Sequence, residues 1–494
     1  MSRPPPCTAL ITLPAPRDLD PPGALERLRA AGAPWLLESA LPLRGAGRFS
    51  FAGADPYLIV RARGLELEIE CRRAAYERLA VGVSCERGPA LAALRARLPA
   101  PPRDACALPF CGGAVGVFGY ELAEQLDVHA LHGTDDLALP DAVWLFVDAL
   151  VAFDHELGTA QIAALGIAHD EPTARARAEH AAHALAQRLS QPVVKRGRTP
   201  IPEPGSLSSS ELDVAGYHKA VESIADAIAA GDLYQACLTY RIDRAFAGDP
   251  WQLYRALRRR DPAPFAAYLE LPEIAVASSS PERFLRVDAE RCIESRPIKG
   301  TAKRSGDPAQ DAHAARALSS SEKDRAENLM IVDLVRNDLG RVCEPGSIAV
   351  PELFAVEPYA SVFQLVSTVA GRLRPGCDAL DAIAAAFPPG SMTGAPKIAA
   401  MRALDRLETV RRGFYSGALG YLDVRGGADL SVVIRSAFVR GGRAYLHAGG
   451  GIVADSEPGA EYEESRAKLR SLLAAIDDVA REELQADPAI DAAI

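Results

Sequence analysis

A lysine stands at position 299, in the run Glu294-Ser295-Arg296-Pro297-Ile298-Lys299-Gly300-Thr301. Lysine is scarce here, and arginine carries most of the positive charge. An ammonium that loses its proton on desolvation becomes an amine nucleophile; a guanidinium does not. Taken alone, Lys299 also reads as an ordinary turn lysine. Glu282 opens a turn in Ser280-Pro281-Glu282-Arg283. It is either a capping carboxylate or, in a drier setting, an acid able to donate a proton near neutral pH. Asp324 and Glu327 are three apart in a helical run, and Glu461 and Glu464 repeat the spacing with Lys468 one turn beyond. That spacing puts both carboxylates of a pair on one helix face. Two such faces suit magnesium, which binds one or two carboxylates and keeps water or substrate oxygens as its other ligands. Each face alone reads equally as solvated charge.

Other groups could hold an anionic substrate. Phe387-Pro388-Pro389-Gly390-Ser391-Met392-Thr393-Gly394-Ala395-Pro396-Lys397 reads as a glycine turn opening a helix, with Pro396 in its first turn and free amides toward an anion. Its glycine and lysine spacing is not that of a P-loop. Arg435 falls in a β-rich run, Leu430 to Val439, and Gly449-Gly450-Gly451 follows a strand where backbone amides could approach a ligand. Gln235 lies on the mixed face of a strand in which Tyr234, Ala236, Leu238, Tyr240 and Ile242 form the apolar face. A satisfied strand glutamine is the plain alternative.

The elements that must position these groups can be read in outline. Residues 1–190 read as one α+β unit. Its strands are Trp35–Ser39, Arg48–Phe51, Leu58–Val60 and Leu65–Ile69, with a β-rich run from Val143 to Phe153 and a helix from Glu171 to Leu189. Pro109 to Tyr120 reads as a buried strand with close backbone packing. Residues 191–212 read as a linker. Residues 213–480 begin with a helix whose Tyr217, Val221, Ile224 and Ile228 share a face and which stops at Gly231. Ser321 to Leu339 is strongly helical. Residues 481–494 read as a tail.

Composition sets limits. The 494 residues are 48% hydrophobic and 24% charged, with net charge −10. An acidic chain offers no basic face to nucleic acid or anionic membrane. No apolar run is long enough to span a bilayer, and the start lacks a secretory core. The nine cysteines are scattered without a CxxC pair, which points to reduced thiols in a cytoplasm.

The motifs PIKGT, SPERF, GDLYQ, AENLMIVDLVRNDLG, PPGSMTGAPK, GGGIVADS and EYEESRAKL stand in an order that resembles the chorismate-utilising enzymes. Within them the chain is similar to the component I branch of aminodeoxychorismate synthases, sister to anthranilate synthase component I. The resemblance is densest over 213–475. It implies an α+β fold of two large facing β-sheets with peripheral helices, the N- and C-terminal regions interwoven. It implies magnesium on Glu327 and Glu464, with Asp324 and Glu461 nearby through water. It also implies substrate carboxylates bound by Arg435, Lys468, Tyr415, Ser391 and the Gly449, Gly450 and Gly451 amides. Glu282 would protonate the departing C4 hydroxyl. Lys299 stands where anthranilate synthases usually have alanine, and its amine would attack ring C2 before ammonia enters at C4. Gln235 replaces the general-base lysine of water-adding relatives, which argues against isochorismate formation. Gln364 stands where many relatives have histidine beside the substrate, leaving that role open. Ser39, Arg48, Phe49, Pro264, Phe265 and Ala266 loosely match a family tryptophan pocket, with Ala266 replacing a frequent serine. No GxCxG elbow and no lyase tail are found, so a separate glutamine amidotransferase subunit is expected to supply ammonia to the chorismate site.

Overall fold

Glycines let the strands of this protein approach at backbone contact. In the buried strand Gly113–Phe118, a methyl group on Gly116 would lie 2.1 Å from the Val143 carbonyl oxygen. One on Gly113 would lie 2.2 Å from that of Leu422. The computed structural model describes residues 6–43, 45–74, 80–126, 131–193 and 213–485.

Among the described residues the strands form two antiparallel sheets, of eleven and twelve strands. Each is assembled from both halves of the chain. In the first, Trp35–Glu38 pairs with Phe265–Glu270; in the second, Gly113–Phe118 pairs with Ala418–Asp423. The interwoven α+β arrangement expected from the motifs is therefore present. The main core, with Trp35, Phe51, Phe110, Phe118, Trp144, Phe146 and Leu430, draws on strands of both sheets. A second core packs the helices Val214–Ala229, Pro250–Arg260 and Pro458–Gln485 on the first sheet.

Alternation along Gln235–Ala245 sorts its side chains. Ala236, Leu238 and Tyr240 join the helix-side core, while Cys237 joins the main core. Tyr234 does not share the apolar face as expected; it precedes the strand and is 68% exposed.

Two runs read as β-rich are each divided between the sheets. Val143 to Phe153 comprises Ala142–Val147 in the twelve-stranded sheet and Ala149–Asp154 in the eleven-stranded one, joined through Asp148. Leu430 to Val439 likewise comprises Ala428–Val432 and Ser436–Arg440, in different sheets. The chain also changes sheets between Ala275–Ser280 and Arg283–Val287, across Pro281 and Glu282. The expected linker lies outside the described residues from 194 to 212. Past position 480 the final helix continues to Gln485.

Candidate active site

Gln235 is 0% exposed, yet neither its side-chain oxygen nor its nitrogen has a partner among the described residues. Such a pair normally finds one. Gly451, opposite Cys237 in the neighbouring strand, explains where it points. A methyl on Gly451 would fall 2.2 Å from Gln235 Nε2 and 2.6 Å from Lys299 Nζ. The amide, the ammonium and the bare glycine backbone therefore share one small space. Lys299 is half-buried in Ile298–Lys303, and its ammonium has no hydrogen bond or ion pair among the described residues. It is aimed by a register shift between Ile298 and Thr301, where Gly300 has φ +93°. A side chain at Gly300 would meet Asp324 Cβ at 2.9 Å, so Asp324 lies against this turn.

Glu282 sits at a sheet-to-sheet crossing and is 4% exposed. Burial raises its carboxyl to about 7, against the pull of Ser391 and the Lys299 ammonium. Ser391 Oγ stands beside that carboxyl, short of a well-formed hydrogen bond. Arg435 occupies another crossing, at φ +52°. This left-handed conformation is costly for arginine and recurs where geometry serves a site. Arg435 donates to the Lys468 carbonyl at 3.4 Å.

The glycines lie inside the strand Arg443–Ile452 rather than after it. A methyl on Gly449 would strike the Leu238 carbonyl at 2.0 Å, so this residue packs strand on strand. One on Gly450 would meet Glu461 Oε2 at 3.1 Å and Lys468 Nζ at 3.8 Å. Alternation therefore gathers Glu461 and Lys468 about Gly450, and Gln235 and Lys299 about Gly451. Lys468 Nζ also donates to the Gly449 carbonyl at 2.9 Å and pairs with Glu464 at 2.8 Å.

The four acids expected at a metal meet more loosely than their spacing suggested. Glu327, with 15% side-chain exposure, reaches Lys323 at 4.0 Å, while Glu464 is 61% exposed. Glu461 accepts from Ser456 Oγ at 2.7 Å. Among the described residues no three such side chains converge to chelate an ion by themselves. Their charges still interact. Burial pushes Glu327 up, Lys299 and Lys323 draw it down, and Glu461 and Asp324 push it up again. Lys468 holds Glu464 below the ordinary carboxylate range. Glu327, repelled by Glu461 and Asp324, is the carboxylate here that a bound cation could relieve, and magnesium leaves most of its coordination to water and substrate.

Tyr415 is buried, its ring stacked on His447 at 4.8 Å, and burial raises its hydroxyl pKa. Gln364 is buried with Oε1 unpartnered among the described residues, opposite Thr301 in the strand beside Lys299. The Ser391 turn also differs from expectation. Gly390–Met392 is a 3-10 turn followed by the short strand Gly394–Ala395; Pro396 caps the helix Lys397–Asp405 from outside. Lys397 is buried against Asp338 at 2.8 Å and donates to the Ala386 and Pro388 carbonyls at 2.6 and 2.9 Å. Sequence reading also missed Arg412, Glu408 and His447. The Arg411-Arg412-Gly413 triplet before Tyr415 was the available signal.

Apart from this site, Ser39, Arg48, Phe49, Pro264, Phe265 and Ala266 all line one cavity of about 320 Å³ between the sheets. Arg48 is committed to Asp154 at 2.7 Å and lies over the Phe49 ring. No helix among the described residues is long and apolar enough to cross a membrane.

Three kinds of likeness bear on this geometry. A family model described as chorismate binding enzyme matches residues 64–474. Aminodeoxychorismate synthase of Streptomyces griseus is 46% identical over 391 residues, covering 78% of this chain and 52% of the relative. Aminodeoxychorismate synthase component 1 of Salmonella typhimurium is 39% identical over 446 residues, covering 89% of this chain and 92% of the relative. The chain thus spans about half the length of the first and nearly all of the second. The crystal structure of anthranilate synthase component I from Streptococcus pneumoniae TIGR4 superposes with a TM-score of 0.73 at 30% identity, covering 86% of this chain and 92% of that one.

Proposed function

Because the chain belongs to the chorismate-binding enzyme family, we propose that it makes 4-amino-4-deoxychorismate from chorismate and ammonia, as an aminodeoxychorismate synthase component I. The observation that carries this reading is the meeting of Lys299 Nζ with Gln235 and Gly451 in one space. An amine in that place can add to ring C2 while the C4 hydroxyl departs. Glu282 donates the proton, so that water leaves rather than hydroxide. Ammonia then forms a bond at C4 as the lysine nitrogen leaves C2 with its electron pair. Gln235 can hydrogen-bond the substrate but cannot take a proton from water, which favours nitrogen over oxygen as the entering atom.

Arg435, Lys468, Tyr415 and Ser391 are the groups available to the substrate carboxylates. Glu327 and Glu464 would hold magnesium, with Asp324 and Glu461 behind them; the bound ion would neutralise the ring carboxylate and polarise the substrate. Ammonia is supplied by a separate glutamine amidotransferase subunit in this reading. The cavity at Ser39, Arg48 and Phe265 is the place for an amino acid such as tryptophan.

The test is product analysis with chorismate, magnesium and ammonium. Formation of 4-amino-4-deoxychorismate supports the proposal; anthranilate with pyruvate overturns it. Intact-protein mass spectrometry without ammonia should find a chorismate-derived adduct, lost in Lys299→Ala. Chelation should stop turnover, and Glu327→Gln should raise the magnesium concentration needed to restore it. An unchanged magnesium requirement in that variant would contradict the ligand assignment.

A further inference from the structure

Arg412 touches none of the space between Lys299, Gln235 and Gly451, yet it is bonded next to three of the binding groups, Gln235, Ser391 and Tyr415. We propose that Arg412, clamped by Glu408, is a positioning residue that holds the segments bearing Gln235, Ser391 and Tyr415 in one fixed arrangement; the inference rests on the reaction proposed above.

A guanidinium has five N–H bonds in a planar fork. In Arg412 all five have acceptors. Nε and one Nη2 hydrogen go to the Glu408 carboxylate, at 2.7 and 2.6 Å. The other Nη2 hydrogen goes to the Cys237 carbonyl at 2.9 Å, two residues from Gln235. Nη1 donates to the Met392 carbonyl at 2.7 Å, next to Ser391, and to Ser416 Oγ at 3.2 Å, next to Tyr415. Ser416 has φ +64°, a conformation that needs outside support. Glu408 extends the same clamp, accepting from the Thr239 amide and hydroxyl at 2.9 Å each. The Arg412 amide is held in turn by the Glu121 carboxylate at 2.9 Å, and the Tyr120 ring lies 4.4 Å from the guanidinium carbon. The side chain is almost wholly buried, so water cannot replace a lost bond. Three segments far apart in sequence meet on one planar cation. Lysine has three donors and no plane, so it can keep the charge while losing the geometry.

The experiment compares Arg412→Lys, Glu408→Gln and Arg425→Lys with the unaltered chain. Arg425 is the control, since it clamps the Cys106 and Leu108 carbonyls at 3.0 and 2.6 Å and carries no substrate-binding segment. Folded Arg412→Lys should raise KM for chorismate about tenfold and lower kcat/KM about 100-fold, the size of effect that misplacement of about 1 Å produces. Glu408→Gln should move both constants the same way, and covers the case in which Arg412→Lys does not fold. Arg425→Lys should match the unaltered chain. Folded variants at Arg412 and Glu408 with unchanged kcat/KM would overturn the inference. If the unaltered chain makes another product, the functional reading fails while the kinetic comparison still decides for or against Arg412. If it consumes no chorismate, calorimetric binding decides instead: about tenfold weaker chorismate binding by Arg412→Lys supports the clamp, and equal binding overturns it.

Discussion

A carboxyl group sealed from water keeps its proton to higher pH, and Glu282 is sealed, which places its titration at about 7. As the acid for a departing hydroxyl it must be protonated. The proposed reaction should therefore lose about tenfold in kcat/KM per pH unit above about 7. Glu282→Gln should be slow and lack that limb; an unaltered enzyme with a level profile to pH 9 would remove Glu282 from the acid role. The stability consequence has a definite sign. Between the ordinary 4.5 and about 7 the folded chain holds a proton that the unfolded chain has released. Stability therefore falls as pH rises through that window, by on the order of 3 kcal/mol from this group. Glu282→Gln should unfold at higher temperature than the parent at pH 8 and close to it at pH 4.5. At this scale Lys299 and Glu282 were legible as candidates, because a scarce lysine and a Pro-Glu turn mark themselves. Arg412 was not. In an arginine-rich chain its role depends on bonds to Cys237, 175 residues away, and Met392, 20 away.

At the scale of elements, the glycine strand is the clearest test. A methyl at Gly451 would meet only the tips of Gln235 and Lys299, both able to swing aside. Gly451→Ala should fold with parental stability and lose at least about 100-fold in turnover. Gly449→Ala would press on the Leu238 carbonyl, which cannot move alone, and should destabilise the fold. Chemical denaturation beside chorismate turnover separates the two; a fully active Gly451→Ala would break the proposed link between that glycine and Lys299. Alternation revealed the Gln235–Ala245 strand and the helix Glu322–Gly340 because each keeps one period throughout. It concealed the crossings at Asp148 and Arg435. A strand that changes sheets through a short link leaves the hydrophobic pattern intact, and only the neighbours change. The acidic helices were legible as pairs, but their separation depends on how both helices dock.

On the scale of the molecule, neither half of the chain owns a complete sheet. Residues 213–494 expressed alone would expose the edge of Phe265–Glu270 that Trp35–Glu38 covers, and the edge of Ala418–Asp423 that Gly113–Phe118 covers. Open edges of that kind invite aggregation. The fragment should be insoluble or unfolded, whereas adding residues 1–193 as a second chain should recover soluble complex. A well-folded, monomeric fragment would show that the sheets tolerate division. Interweaving was legible only through the motifs, since periodicity reports which residues are buried and not which strands are neighbours.

Glu282 and Arg435 each occupy a place where the backbone steps from one sheet to the other. Lys299 comes from one of those sheets and Gln235 with Gly451 from the other. The gap between the Lys299 amine and the Gln235 amide is thus spanned by short covalent bridges of nearly constant length. Lengthening either bridge by one residue would widen the jaws without altering a single group that bites, and discrimination among ring acids of different bulk should relax accordingly.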